Sequence, residues 1–418
     1  CNQMAAEQFT DPHHGFGTTV IHAGQDPDAV TGAVSVPISL ATTFAQDSPG
    51  VKKGETAPHS FNLGYEYSRT GNPTRGAFEQ CIAACENATH AVAFASGMAA
   101  TSAMIHLLET GDHVISIDDV YGGTQRYFRR VCKPSMNIDF SFVDLTNPAL
   151  LEPAITDKTK MVWLETPTNP TLKISDIQAI ADICRARNLI LVVDNTFATP
   201  YNQLPLDLGA HVALHSCTKY IGGHSDVVMG VVCTSDDEIY TKLRFVQNGM
   251  GAVPSPFDCY MALRGLKTLH IRMAAAASNA QQLAEWLEAH SAVERVIYPG
   301  LESHPQYEIG QRQCSGSGAM ITFYVRGELD AARRFLETVR VFTLAESLGA
   351  VESLVESPAI MTHASVPAEQ RAVLGISDNL IRLSVGIESI VDLVNDLEAA
   401  LVASQDTSVA PPAAPTDA

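Results

Sequence analysis

Between residues 90 and 235 short apolar runs recur: AVAFA (91–95), HVISI (113–117), MVWLE (161–165), LILVVD (189–194), HVALHS (211–216) and MGVVC (229–233). The stretches between them are helix-like. Nearly continuous apolar runs predict strands covered on both faces, and their alternation with helices predicts an α/β unit around a largely parallel sheet. In ISDIQAIADICRARN, residues Ile177, Ile180, Ala181 and Cys184 share one helical face, while Ser175 and Gln178 predict a capping box, so this segment reads as a crossover helix. Residues 255–290 have few breakers and predict one long helix joining two halves, with Gly265 the position that argues against continuity. Beyond it, AMITFYV (319–325) and LIRLSVG (380–386) read as strands, and IVDLVNDLEAAL as a packed terminal helix of a smaller α+β unit.

This reading divides the chain into an N-terminal arm and subunit-contact segment at 1–70, an α/β domain at 71–270, a C-terminal α+β domain at 271–403 and a tail at 404–418. The tail SQDTSVAPPAAPTDA has almost no large apolar residue, which predicts disorder. The stretch QDSPGVKKGETAPHS (46–60) has the same loop-like composition and is expected to be mobile, or ordered at a subunit contact. No internal repeat stands out.

With 418 residues, 46% of them hydrophobic, the chain is long and apolar enough for a sizeable core. Its 27 basic and 46 acidic residues give a formal charge of −19, which sets most of the surface against nucleic acid and anionic membranes. No stretch approaches the roughly 18 apolar residues of a membrane helix, and CNQMAAEQFTDPHHGF carries no secretion signal. A cytoplasmic protein is expected, with Met4 as its start. The nine cysteines form no CxxC pair and read as free, mostly buried thiols. His13, His14 and His22 match no metal spacing, so no metal is expected. The sequon Asn87-Ala88-Thr89 reads as chance.

A parallel sheet collects its binding residues at the carboxyl ends of the strands. Four sets stand there: Ser96-Gly97-Met98, Glu165-Thr166-Pro167-Thr168-Asn169-Pro170, Asp194-Asn195-Thr196 and Ser216-Cys217-Thr218-Lys219. Together they suit a cofactor with an aldehyde, a phosphate and a pyridine nitrogen. Lys219 offers the amine for a Schiff base. Asp194, poorly solvated at a strand end, needs a cationic or donor partner, and a protonated pyridine nitrogen is one. The helix that opens at Gly97 directs amides at an anion, and the hydroxyls of Ser216 and Thr218 add donors. Singly, Asp194 reads as a turn cap, Ser96-Gly97 as an ordinary turn and Lys219 as a surface lysine. The joint pattern, D-x-T about 25 residues before S-x-T-K, is what discriminates.

SCTKYIGGHSDVVMG, VVDNTFATPY, WLETPTNP, FASGMAAT, YEYSRTGNPT and DDVYGGTQRYF resemble the Cys/Met-metabolism pyridoxal-phosphate enzymes. The likeness runs from about residue 15 to 402, and takes in GAVPSPFDCY, RGLKTLHIRM, FTLAESLGAVESL and PAIMTHAS. The 46–60 loop looks longer than the family's, and the tail has no family counterpart. The resemblance implies an aspartate-aminotransferase-like (fold type I) cofactor domain, with pyridoxal 5'-phosphate bound in residues 71–270.

It further implies that Lys219 is the covalent anchor and proton shuttle, that Asp194, supported by Thr196, meets the ring nitrogen, and that Gly97, Met98, Ser216 and Thr218 bind the phosphate. Tyr67 and Arg69, which sequence alone makes an exposed loop, would reach the phosphate of a neighbouring subunit in a homo-oligomer, a tetramer built from dimers. Tyr121 would stack on the ring and assist proton transfer. Arg382 would pair with the substrate carboxylate, although strand alternation also allows it to face outward. Arg126, Asn169, Glu346, Ser347 and Thr362 would surround the substrate, a small amino acid. The activity implied is γ-elimination of L-cystathionine to cysteine, 2-oxobutyrate and ammonia, with hydrogen sulfide release from cysteine as a side activity. The family's cystathionine γ-synthases share the motif set. So do its methionine γ-lyases, which carry cysteine where this chain has Gly123. A non-catalytic relative acting as a binding protein is the alternative of a different class.

Overall fold

The computed structural model describes residues 14–28, 31–53, 64–364, 366 and 368–406. The first thirteen residues of the arm with His13, residues 54–60 of the loop and residues 407–418 of the tail lie outside that set. Within the loop, Gln46–Ser48 (β1) and Val51–Lys52 (β2) pair as a short antiparallel hairpin.

The main sheet has seven strands: β3 (His90–Phe94), β4 (His113–Ile117), β5 (Asp139–Val143), β6 (Thr159–Glu165), β7 (Ile190–Asp194), β8 (Val212–Ser216) and β9 (Gly230–Thr234), in the order β3-β9-β8-β7-β6-β4-β5. Five of them, β5, β4, β6, β7 and β8, run parallel, and β9 is antiparallel to both of its neighbours. Alternate residues of a strand enter different cores. Ala91 and Ala93 of β3 belong to one apolar cluster, Val92 and Phe94 to the other. Helices cover both faces, so neither side needs polar residues, which is why the runs read as continuous.

All six predicted strands form, with one consequence of direction that the sequence pattern did not carry. Because β9 runs backwards, its beginning rather than its end lies beside the carboxyl ends of the others, and Val228 joins the pocket there. β5 was not predicted, since its DFSFV is half polar.

The crossover helix spans Ile177–Ala186, with Ile177, Ile180, Ala181 and Cys184 buried as predicted. The capping box does not form. Asp176 is the N-cap, its carboxylate accepting from Ala179 N at 3.1 Å, while Ser175 N donates instead to Thr166 Oγ1. A carboxylate next to the first turn outcompetes the more distant hydroxyl. The long helix predicted over 255–290 is two, Pro256–Leu266 and Leu269–Ala289. Gly265 belongs to a close approach rather than to a loose turn: a Cβ there would stand 2.3 Å from Gly222 O. Arg272 of the second helix then donates to the carbonyls of Tyr220 and Gly265, bracing the segment that follows Lys219.

The second sheet is β10 (Val293–Ile297), β11 (Met320–Val325), β12 (Thr343–Leu344), β13 (Leu354–Glu356) and β14 (Leu380–Ser384), ordered β10-β11-β14-β13-β12. Its pairs are antiparallel except β12 with β13. One apolar cluster joins Leu269, Met273 and Leu287 of the long helix to Ile321, Phe323 and Leu397, so the two sheets share a core. No described helix is long and apolar enough to cross a membrane, and no described group of His, Cys, Asp or Glu is arranged to hold a metal. Eight described cysteines are free, seven of them buried.

Candidate active site

A cavity of about 320 Å³ lies where the carboxyl ends of β6, β7 and β8 meet the loop 346–348 and β14. It gathers Gly97, Met98, Tyr121, Asn169, Asp194, Thr196, Ser216, Thr218, Lys219, Glu346, Ser347, Thr362 and Arg382. Members of all four strand-end sets thus meet residues between 346 and 382 in one space. Three predicted residues do not line it. Arg126 is exposed on the helix Gly122–Tyr127. Tyr67 is 42% exposed, and Arg69 is also exposed, its Nε donating to Asn248 Oδ1 at 3.0 Å.

At one end, Ser96 caps the helix Gly97–Ile105 by accepting from Ala99 N at 3.0 Å. A Cβ on Gly97 would lie 3.0 Å from Ser216 Cβ, and one on Gly230 only 2.4 Å from Ser96 O. Glycine at both places therefore lets a helix N-terminus and the β8 end close into one cradle of amides and hydroxyls. Thr218 is fixed there by reciprocal bonds with Met229, whose N donates to Thr218 Oγ1 at 3.1 Å.

At the carboxyl end of β7, Asp194 Oδ1 accepts from Thr196 N at 3.1 Å and from its hydroxyl at 2.5 Å. The turn-cap reading is therefore correct as local geometry. No basic side chain among the described residues forms an ion pair with it, and burial raises its pKa. Beside it in register stands Glu165, 5% exposed, whose Oε2 accepts from Tyr121 N at 2.9 Å. Burial and the charge of Asp194 push Glu165 well above the usual carboxylate range. The sequence assigned Glu165 no role. On the opposite face of the sheet the buried Glu86 pairs with His215 and accepts from Asn195 Nδ2 at 3.0 Å, which ties the ends of β7 and β8 together.

Lys219 projects between these ends, its Nζ donating to Ser347 Oγ at 2.8 Å. Burial first, and the charge of Arg382 second, lower its pKa to about 8, against the opposing pull of Glu356 and Glu346. A lysine so placed is a usable nucleophile near neutral pH. Ser347 holds φ at 93°, a rarely populated conformation for a side-chain-bearing residue, and this lets it meet two groups at once. Its carbonyl accepts from Arg382 Nη2 at 2.8 Å.

Arg382 is 2% exposed, so the outward alternative is excluded. Its Nη1 donates to Asn169 Oδ1 at 2.8 Å and lies 3.0 Å from Glu356 Oε1. Glu356 was missed, because VESP carries no motif of its own. Asp119 was missed too. It is buried and accepts from Thr168 Oγ1 at 2.6 Å and from Thr171, fastening the loop that carries Asn169.

These residues fit pyridoxal phosphate: an anion cradle closed by glycines, an amine with a lowered pKa, and a carboxylate to which no described basic side chain is ion-paired. The profile of the Cys/Met metabolism PLP-dependent enzymes matches residues 17–402, and the chain belongs to that family. It is 61% identical to a cystathionine gamma-lyase of Dictyostelium discoideum, over 94% of this chain and 99% of that protein. It is 54% identical to a cystathionine beta-lyase of Coxiella burnetii, over 92% and 97% of the two chains. The crystal structure of cystathionine gamma-lyase from Lactobacillus plantarum complexed with L-serine superposes with a TM-score of 0.89 at 45% identity, covering 94% of this chain and all of that one.

Proposed function

We propose that this chain cleaves L-cystathionine at the γ carbon–sulfur bond, taking up water and releasing L-cysteine, 2-oxobutyrate and ammonia. The observation that carries this reading is the charge layout of the cavity. Lys219 shares the cavity with a buried guanidinium, Arg382, and an exposed acid, Glu346. An amino acid with a second, distal ammonium matches that layout, whereas methionine leaves Glu346 without a partner. The named lyases among the relatives support it.

Bound pyridoxal phosphate supplies an electron sink that acidifies hydrogens next to the substrate's amino-bearing carbon. The remaining tasks belong to this chain. Lys219 Nζ would be the covalent anchor and also the base that takes the substrate's α proton. Asp194, oriented by Thr196, faces the ring nitrogen. Gly97, Met98, Ser216 and Thr218 hold the phosphate. Tyr67 and Arg69, exposed and absent from the lining of their own cavity, would complete a neighbour's in a homo-oligomer, a tetramer of dimers. Tyr121 stacks on the ring and moves a proton near the leaving sulfur. Arg382 and Asn169 bind the α-carboxylate, Ser347 and Thr362 line its seat, and Glu346 with Arg126 reads the distal end. We also propose a cytoplasmic location, side release of hydrogen sulfide from cysteine, and the division into an arm at 1–70, a cofactor domain at 71–270, a second domain at 271–403 and a tail.

Because a named β-lyase is also similar, at 54% identity, the bond that breaks is the point to test. Purified protein with cystathionine should release 2-oxobutyrate and cysteine. Pyruvate in their place would establish the β reading, and turnover only with an activated homoserine ester plus cysteine would establish the synthase.

A further inference from the structure

Glu356 closes β13 and stands opposite Arg382 in the β13·β14 register. It does not line the cavity, whereas Arg382 and Thr362 do. Both are held by the same atom: Glu356 Oε1 lies 3.0 Å from Arg382 Nη1 and accepts from Thr362 Oγ1 at 2.8 Å. The carboxylate is 1% exposed, and its Oε2 finds no partner among the described residues. Removing such a group from water is costly, and here the compensation comes from Arg382 and the Thr362 hydroxyl. Arg382, pinned at Nη1 by Glu356 and Asn169 and at Nη2 by Ser347 O, keeps one orientation. A planar guanidinium binds a carboxylate well only when its fork is aimed.

We propose that Glu356 is a positioning residue for substrate recognition, which from behind the cavity wall aims the Arg382 guanidinium at the substrate's α-carboxylate and fixes the Thr362 side chain in the wall beside it. The proposal rests on Arg382 as the carboxylate-binding residue. The charged groups that act on Glu356 are Arg382, Glu346 and Lys219, and burial raises its pKa against the pull of Arg382. What positions the two side chains is the acceptor oxygen, which an amide also supplies.

The test uses cofactor-loaded protein and two unreactive amines, read by the absorbance of the bound cofactor. Glycine carries an α-carboxylate and methylamine does not. Glu356→Ala should weaken glycine about tenfold, the size of a lost hydrogen bond to a charged group, and leave methylamine unchanged. Glu356→Gln should restore glycine binding. The proposal is overturned if Glu356→Ala binds glycine normally, if it weakens both amines alike, or if the Gln variant is as weak as the Ala variant. Arg382→Leu separates the two levels. If glycine binding survives that change, the carboxylate role of Arg382 fails, and with it the proposal. If it is lost while Glu356→Ala is normal, only the role of Glu356 fails.

Discussion

The cavity has two walls that are built differently. On the side of β3, β7 and β8, contacts are made by backbone amides and short side chains whose partners lie close in the chain: Ser96 with Ala99, Asp194 with Thr196, Thr218 with Met229. On the side of β13, β14 and the 346–348 loop, long charged side chains are fixed by distant ones, Lys219 by Ser347 and Arg382 by Asn169. The first wall is rigid as soon as the sheet forms, because its donors belong to strand ends and a helix start. The second exists only when both sheets are packed together. Damage to the first wall should therefore read as lost cofactor, and damage to the second as lost substrate with the cofactor still bound.

The largest effect should come from the residue that bridges the walls. Lys219→Ala should lower turnover by at least about 10³-fold, since anchor and base go together, and abolish the covalent cofactor absorbance. An unchanged absorbance band would end this reading of Lys219. Next, Arg382→Leu should reduce kcat/KM for cystathionine by about 10²-fold while the band persists. If the band disappears with the substrate affinity, the two walls are not separable.

A smaller effect follows from pH. The pKa of Lys219 in the folded protein, about 8, is below that of an ordinary lysine. The unfolded chain therefore binds this proton more tightly, and the stability of cofactor-free protein should rise with pH from about 8 towards the ordinary lysine value. Cofactor uptake, which needs the uncharged amine, should quicken as pH passes through about 8 and level off above it. Stopped-flow absorbance would show this, and a flat profile across that range would count against a desolvated amine. The mildest change should be Glu346→Gln, which should raise KM for cystathionine by about three- to tenfold with little effect on kcat, because an exposed charge at the rim is screened. A larger loss in kcat would move Glu346 from the rim into the chemistry.

The same division explains what could be read in advance. Ser96-Gly97, Asp194-x-Thr196 and Ser216-x-Thr218-Lys219 are local strings at strand ends, so their shared location followed from the periodicity of the apolar runs. Arg382 was found only by resemblance, since Ile381 and Leu383 on either side leave its direction open. Glu356 and Glu165 were assigned no role. Each is a single polar residue whose meaning depends on a partner from elsewhere in the chain, Arg382 for Glu356 and Tyr121 N for Glu165. The failures in secondary structure were of two kinds. At Gly265 and β9 the pattern identified the element and a neighbour in space decided its break or its direction, whereas the Asp176 cap and the half-polar β5 were decided locally.

From the sequence alone came two-sided burial of six strands, the anion cradle, the lysine and the acid at the end of β7, because hydrophobic period and turn chemistry act over a few residues. Tertiary structure decided that Arg382 turns inward, that Ser347 serves Lys219 and Arg382 together, and that Glu356 stands behind the wall. Those choices depend on the register of β13 with β14 and on one core joining both sheets, and no local string of residues encodes either.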